Sequence, residues 1–517
     1  MVRARVLAGV AVAVALLLSG CTGGGSQAGG GSSAAQVDPD GTFRYVYVQN
    51  PVSLDPHRSP TQWDMLWLRL AYDQLLWQNQ DGELEPMLAT EWEFVDEGKA
   101  LEMTLRDDVT FIDGEKFNAA AVKANLERAI MSELSVHKAN LERIASVEVV
   151  DDYRVRINLN GPGGNLPNLF ASNVGSMISP AAFNNPDLDQ NPVGSGMARL
   201  AEMIPGQVSR WDRNESYWDT DAAKAARYEI YVQSASPTRM NMLTTGQAEL
   251  TYLLPQDQDA AQAANLNIAP SLSSTIFSLR LHAKDGSLDD PRVRAAVEHA
   301  IDRQALVDGV FFGFGVPVAQ HLPPGTWAYD DSVSSDGEDF KYDPALSKKL
   351  LAESGHANGF EWEMIIPGLD DHRAVGDAVI AMLGEVGINV KARVVEPTNV
   401  AVTFSKNHEG ELSPAAQPPI TDPTNNYQRN LAGQYYNPFN NTSDEFTQAW
   451  MDSLIGDSNE ERLPAIHRMI KAETKIRNVI PLLLFTPPSV WTENVVFPEG
   501  YEPAYCPHFR GVGVTAD

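Results

Sequence analysis

Apolar and polar positions alternate in two rhythms along this chain. Leu101-Glu102-Met103-Thr104-Leu105 repeats every second residue and predicts a half-buried strand. Asp113-Gly114 then marks a turn, and Asn118 can cap a helix with the apolar stripe Val122, Leu126, Ala129 and Ile130. Asp290-Pro291 sets a cap before a proline at the first helical position, and Val293, Val297, Ala300 and Ile301 follow on one face. Asp343-Pro344 repeats that signal before Leu346, Leu350 and Leu351, and Gly355 ends the helix. The clearest unit is 362–394. A strand from Trp362 to Ile366 leads into a helix with Val375, Val379, Met382, Leu383 and Val386 on one side; Gly387 stops it, and Ile388, Val390, Ala392 and Val394 alternate as a returning strand. That predicts a βαβ unit with a parallel strand pair, inside a mixed α/β chain without internal repeats. Residues 405–445, rich in Pro, Asn and Gln, are the least periodic stretch and predict a long functional or disordered loop.

The N-terminus follows neither rhythm. Arg3 and Arg5 precede an unbroken apolar run of 13 residues, Val6 to Leu18, which suits a signal peptide and is too short to span a bilayer. It ends in Leu18-Ser19-Gly20-Cys21, which resembles a bacterial lipobox and predicts a diacylglycerol on Cys21 after removal of residues 1–20. Residues 21–36, the lipidated Cys and a Gly/Ser-rich stretch, read as a flexible tether with a reach of roughly 20 Å. The expected location is the extracytoplasmic face of a bacterial membrane, held by the lipid. Every later apolar run is interrupted by charge or proline. Once Cys21 is lipidated, Cys506 is the one free thiol, read as a small buried hydrophobe.

Composition narrows the function classes. A chain of 517 residues has room for two or three domains, and 43% hydrophobic with 21% charged residues is ordinary globular usage. Lys and Arg number 39 against 68 Asp and Glu, a formal charge of −29 that repels polyanions and argues against nucleic acid. The sequence has no Gly-x-Ser-x-Gly elbow, since Val193 stands where the first glycine before Ser195 would be, and no His-Glu-x-x-His. Nor does it hold a phosphate-cradling Gly-x4-Gly-Lys motif or a Cys-x-x-Cys. The ten histidines are scattered, which gives no local metal motif. The expectation is a binding protein, with no catalytic residues, metal or cofactor.

Several segments then stand in a telling order: Ser53-Leu54-Asp55-Pro56-His57, Tyr72-Asp73-Gln74-Leu75-Leu76, the run from Asp81 to Trp92, and Leu105-Arg106-Asp107-Asp108-Val109. Pro192-Val193-Gly194-Ser195-Gly196, Arg213-Asn214-Glu215-Ser216-Tyr217-Trp218, the run Val293 to Arg303, Gly387-Ile388-Asn389-Val390 and Val479-Ile480-Pro481-Leu482 complete the series. Together they resemble the family 5 extracellular solute-binding proteins, receptors of ABC importers for dipeptides, oligopeptides, nickel and related solutes. The resemblance covers about residues 42–500. It implies an α/β, two-lobed periplasmic-binding-protein-like fold of the large type with three domains, and a ligand cleft between the lobes. Domain I would comprise 37–70, 190–285 and 485–517, domain II 71–189, and domain III 286–484. The implied partners are a small solute or short peptide, an ABC permease with its ATPase, and the membrane through the lipid; a monomer is expected.

The resemblance also implies where the ligand lies. The loop after the first strand, Gln49-Asn50-Pro51-Val52, would touch it, as would the strand Thr275-Ile276-Phe277-Ser278, where Phe277 either stacks on the ligand or fills core. The other lobe would offer Asp371-His372-Arg373 and the Pro-rich loop with Gln417, Asp422, Asn425 and Asn426. Peptide binders of the family carry an aspartate shortly before an Asp-Pro or Glu-Pro pair, where it meets the α-ammonium of the peptide. Here Pro418-Pro419-Ile420-Thr421 precede Asp422-Pro423, so that acid is missing, and Glu409 and Glu411 lie further upstream. With His372, Arg373 and Arg280 as sources of positive charge, the expected ligand is a neutral or anionic solute, or a blocked peptide.

Overall fold

Among the described residues, three β-sheets of four or more strands carry the fold. The computed structural model describes residues 36–272, 275–283, 286–417, 422–434 and 436–516; the leader, Cys21, the tether and Pro418 to Thr421 lie outside these. The first sheet has seven strands in the order Asn267–Pro270, Pro488–Trp491, Leu250–Tyr252, Thr42–Tyr47, Arg227–Val232, Val208–Arg213 and Ala198–Ile204. Thr42–Tyr47 is central and runs parallel to both neighbours, and a strand covered on both faces reads as nearly continuous hydrophobicity. Its Phe43, Tyr45 and Tyr47 pack with Trp67, Trp211 and Tyr228 in an aromatic core, where the Trp67 indole N–H donates to Ser209 Oγ at 3.1 Å.

The second sheet has six strands, Gly315–Pro317, Val479–Phe485, Ile276–Leu281, Leu412–Gln417, Phe360–Pro367 and Ile388–Val395. Phe360–Pro367, the helix Asp370–Glu385 and Ile388–Val395 form the expected βαβ unit, paired in parallel from Phe360 opposite Ile388 to Pro367 opposite Val395. Two expectations change in this sheet. The stretch expected as a loop contains the strand Leu412–Gln417, paired along its length with Ile276–Leu281. Its Pro414 hid it, because proline is rare in central strands. Only Leu412 pairs with Phe360–Pro367, so the rest of the strand is an edge on that side and tolerates the missing N–H. Ile276–Leu281, placed by the expected boundaries in domain I, lies here between Val479–Phe485 and Leu412–Gln417.

A third sheet of four strands, Ala89–Val95, Ala100–Leu105, Arg154–Leu159 and Ile144–Asp151, packs under the helix Ala119–Met131. The capping signals are realised in detail. Asn118 Oδ1 accepts from Ala121 N at 3.0 Å, Asp290 Oδ1 from Arg292 N at 2.8 Å, and Asp343 Oδ1 from Leu346 N at 2.8 Å.

Two chain crossings join the first and second sheets, one after Pro270 and one after Phe485, and they run side by side. Ser271 N donates to Pro487 O at 2.8 Å, Phe485 N to Thr275 O at 2.9 Å, and the Ser271 and Ser489 hydroxyls are 2.7 Å apart. Paired crossings of this kind concentrate flexing between two lobes into a few residues. Among the described residues, no helix is long and apolar enough to cross a membrane.

Candidate functional site

Directly against the two crossings lies a cavity of about 550 Å³. One wall comes from the first lobe: Trp63 and Arg69 around the helix Met65–Ala71, the hairpin turn Gln78 to Gly82, and the C-terminal residues Glu502, Tyr505, Cys506 and His508. The facing wall comes from the second lobe: Leu322 to Ala328, Asp422, Pro423 and Asn426. Thr275, Leu484 and Thr486 close it at the crossings. The hairpin turn reaches over to the second lobe. Gly82 has a φ of +83°, which favours glycine, and its Cα side stands in van der Waals reach of the Trp327 ring. Gln80 clamps the same turn to the C-terminal segment, donating to Glu502 O at 2.8 Å and accepting from Glu502 N at 3.1 Å.

The side chains of the first wall form an aromatic and weakly charged surface. Trp63 meets Tyr505 edge-on at 5.0 Å between centroids, and Trp77 meets His508 at 5.0 Å. Burial holds the Cys506 thiol up at about 11 and the Tyr505 hydroxyl at about 12, so both are neutral at physiological pH. Burial, then the cations Arg69 and Arg510, push His508 down to about 3. Arg510 is itself paired, with the Asp219 carboxylate and the Tyr217 hydroxyl. Arg69 has no such partner: its guanidinium lies 5.2 Å over the Trp77 ring, and its buried Nε makes no hydrogen bond.

Asp422 reaches the cavity, but its carboxylate is fully engaged. Oδ1 accepts from Thr424 N at 2.8 Å and from Arg462 Nη2 at 2.9 Å; Oδ2 accepts from Asn168 Nδ2 at 2.9 Å and pairs with Arg462 Nη1 at 2.8 Å. Asn426 lines the same cavity and donates to His321 O at 2.5 Å. Asn425 instead lines a neighbouring cavity of about 300 Å³ and accepts from Asn165 Nδ2 at 2.8 Å.

The remaining expected ligand residues lie off the main cavity. Phe277 is fully buried in the second lobe among Phe311, Phe485 and His372, so its ring fills core. His372 is buried against that ring, with Nδ1 2.7 Å from Asp371 Oδ1, because it is the first position on the inward face that the helix Asp370–Glu385 shares with Val375, Val379 and Leu383. Arg373, next on the helix, is exposed away from the cavity. Asn50 accepts from Gly206 N at 2.9 Å and so pins a hairpin turn, and Pro51 lies beside it, outside both cavities. Gln417 is buried at the end of its strand, its side-chain amide without a hydrogen-bond partner. Arg280 lies inside the second lobe, donating to Ser413 Oγ at 3.1 Å. Glu409 pairs with Arg393 at 2.8 Å, and Glu411 accepts from Glu363 N at 2.7 Å.

Sequence reasoning missed the first wall. Its one legible signal was Arg69, a single charge inside the otherwise apolar helix Met65–Ala71. Cys506, read as a core hydrophobe, is partly buried and faces the cavity.

A family model described as bacterial extracellular solute-binding proteins, family 5 middle, matches residues 83–438. The glutathione-binding proteins of Salmonella typhi and Escherichia coli O157:H7 are 33% and 31% identical to this chain over 318 residues, 60% of its length. The match spans 61% of those relatives, about three-fifths of their length. Solved structures share the fold across nearly the whole chain. The Helicobacter pylori ABC transporter-associated periplasmic binding protein in complex with peptide STSA has a TM-score of 0.78 at 22% identity, covering 92% of this chain and 98% of that one. The Listeria monocytogenes ABC transporter substrate-binding protein has a TM-score of 0.82 at 18% identity, covering 93% and 100%.

Proposed function

We propose, on the premise that the chain belongs to the family 5 bacterial extracellular solute-binding proteins, that it is a lipid-anchored receptor handing one small solute to an ABC importer. The observation that carries this is the cavity of about 550 Å³ walled by both lobes beside the paired crossings. A volume in that range suits a solute of a few residues or less. Closing two walls around it removes solute from water, and selectivity then rests on polar groups that are penalised when left unpaired. Nothing covalent happens to the solute. The lipid on Cys21 keeps the receptor beside its permease, and the work is done by one copy.

The ligand class follows from Asp422. Its carboxylate is occupied by Arg462, Asn168 and the helix start, so it offers nothing to a free α-ammonium. An ammonium taken into the cleft without a carboxylate loses hydration worth several kcal/mol. The relatives named for glutathione and the neighbour holding peptide STSA support a peptide-like scaffold of that size, and we read the ligand as neutral or anionic, or as an N-blocked peptide.

Native mass spectrometry of the protein purified from its own membrane tests this directly. A retained solute of a few hundred daltons, released chemically unchanged, is the expected result. A solute that leaves altered would turn the reading towards an enzyme.

A further inference from the structure

We infer that Arg69 is the anchor for an anionic group of the ligand, a carboxylate or a similar oxyanion, bound against the first-lobe wall of the main cavity. This rests on the receptor reading and adds to it a site and a charge. In a chain of formal charge −29, a cation without an acid beside it is conspicuous. Arg510, whose guanidinium lies 5.7 Å from the centroid of the same Trp77 ring, has its acid in Asp219. Arg69 has none: among the described residues no carboxylate lies within ion-pair distance. The acids that share its cavity are Asp422, bound to Arg462, and the solvent-exposed Asp81 and Glu502.

Its surroundings add no counter-charge. Burial keeps the Cys506 thiol protonated and His508 unprotonated, so both are neutral. The Arg69 guanidinium carbon lies 5.2 Å over the Trp77 ring, and the side chain lines the cavity, where its terminal Nη donors can meet a planar, two-oxygen partner. Arginine rather than lysine fits this arrangement, because a stacked fork binds a carboxylate with two parallel hydrogen bonds. A half-buried cation with a donor cut off from water and unpaired is unfavourable in the empty protein. A ligand anion in the cavity would offset the unpaired charge of the guanidinium, which makes the unpaired state a source of affinity.

The test uses a pooled set of N-acetylated di- to pentapeptides, each as free acid and as C-terminal amide, with aliphatic and aromatic acids and their amides. Equilibrium dialysis of the folded, unliganded protein is read by mass spectrometry. The expected result is retention of acids at least about tenfold above their amides, as a charge-assisted pair implies, and loss of that preference in Arg69→Gln. Equal retention of acids and amides would overturn the anion anchor while leaving the receptor reading intact. No saturable retention of any member would overturn the receptor reading and the anchor with it. A second measurement needs no ligand. Arg69→Met keeps the packing and removes the unpaired charge, so the unliganded protein should melt no lower than the parent. A drop of several degrees would make Arg69 structural and overturn the assignment.

Discussion

Asp422 caps its helix through Oδ1 while Arg462 grips the same carboxylate from the second lobe and Asn168 from the first. Both charges of that pair are fully buried, so each is held in place by the desolvation the other relieves. Arg69, in the same cavity, is held by an aromatic face alone. Sequence treats the two alike, as charges near Pro or within an apolar run; their partners decide which is scaffold and which is available. Cys506 allows the chemistry of this wall to be measured. With the thiol at about 11 against an ordinary value of 9.0, its thiolate fraction at pH 8 is roughly a hundredfold reduced. Alkylation by iodoacetamide, followed by mass spectrometry on the peptide containing Cys506, should be slow at pH 8 and rise about tenfold per pH unit towards pH 10. Rapid, pH-independent labelling would contradict the burial of this thiol.

Among the elements, the helix Met65–Ala71 shows how a sequence motif can be scaffold. Gly194 and Gly196, from Pro192-Val193-Gly194-Ser195-Gly196, press against its C-terminal end, and Gly196 N donates to Ala71 O at 2.9 Å. A Cβ on Gly196 would stand 2.4 Å from the Ala71 carbonyl carbon and 2.4 Å from Leu70 O, contacts with backbone that cannot swing aside. Gly196→Ala should therefore destabilise the protein by about 1–3 kcal/mol, measured by urea denaturation. The strain would be transmitted to the cavity wall, since Arg69 sits on this helix. An alanine variant as stable as the parent would show that the helix end can move. The capped helices at Asn118, Asp290 and Asp343 were legible because a cap is a local hydrogen bond between near neighbours. Leu412–Gln417 was not, because its strand character comes from partners far away in sequence rather than from its own residues.

At the scale of the molecule, the walls are held together beyond the cavity as well. Asn168 donates to Asp422 Oδ2 at 2.9 Å and to Asn459 Oδ1 at 3.2 Å, Asn165 to Asn425 Oδ1 at 2.8 Å, and Gly164 N to Leu454 O at 2.9 Å. All join the segment after the third sheet to the part of the chain that carries Asp422. The bonds between neutral groups each contribute about 0.5–1.5 kcal/mol net, and the one to the Asp422 carboxylate about 1.5–3 kcal/mol. Asn168→Ala removes two of them and should shift the unliganded protein towards an open form. Small-angle scattering should then give a larger radius of gyration than the parent in the same buffer. An unchanged radius would mean that the asparagine does not hold the lobes closed.

The sequence by itself determined the periodic elements, their caps and turns, and the ordered landmarks that identify the family, because each depends on residues close together in the chain. The cavity wall was decided only by tertiary structure. Trp63, Arg69 and Tyr505 come from opposite ends of the chain and meet because the first sheet brings both ends beside the crossings. For the same reason Phe277 and His372 pack in the core and do not line the main cavity: which face of a strand or helix looks at the cleft is set by what packs on the other face.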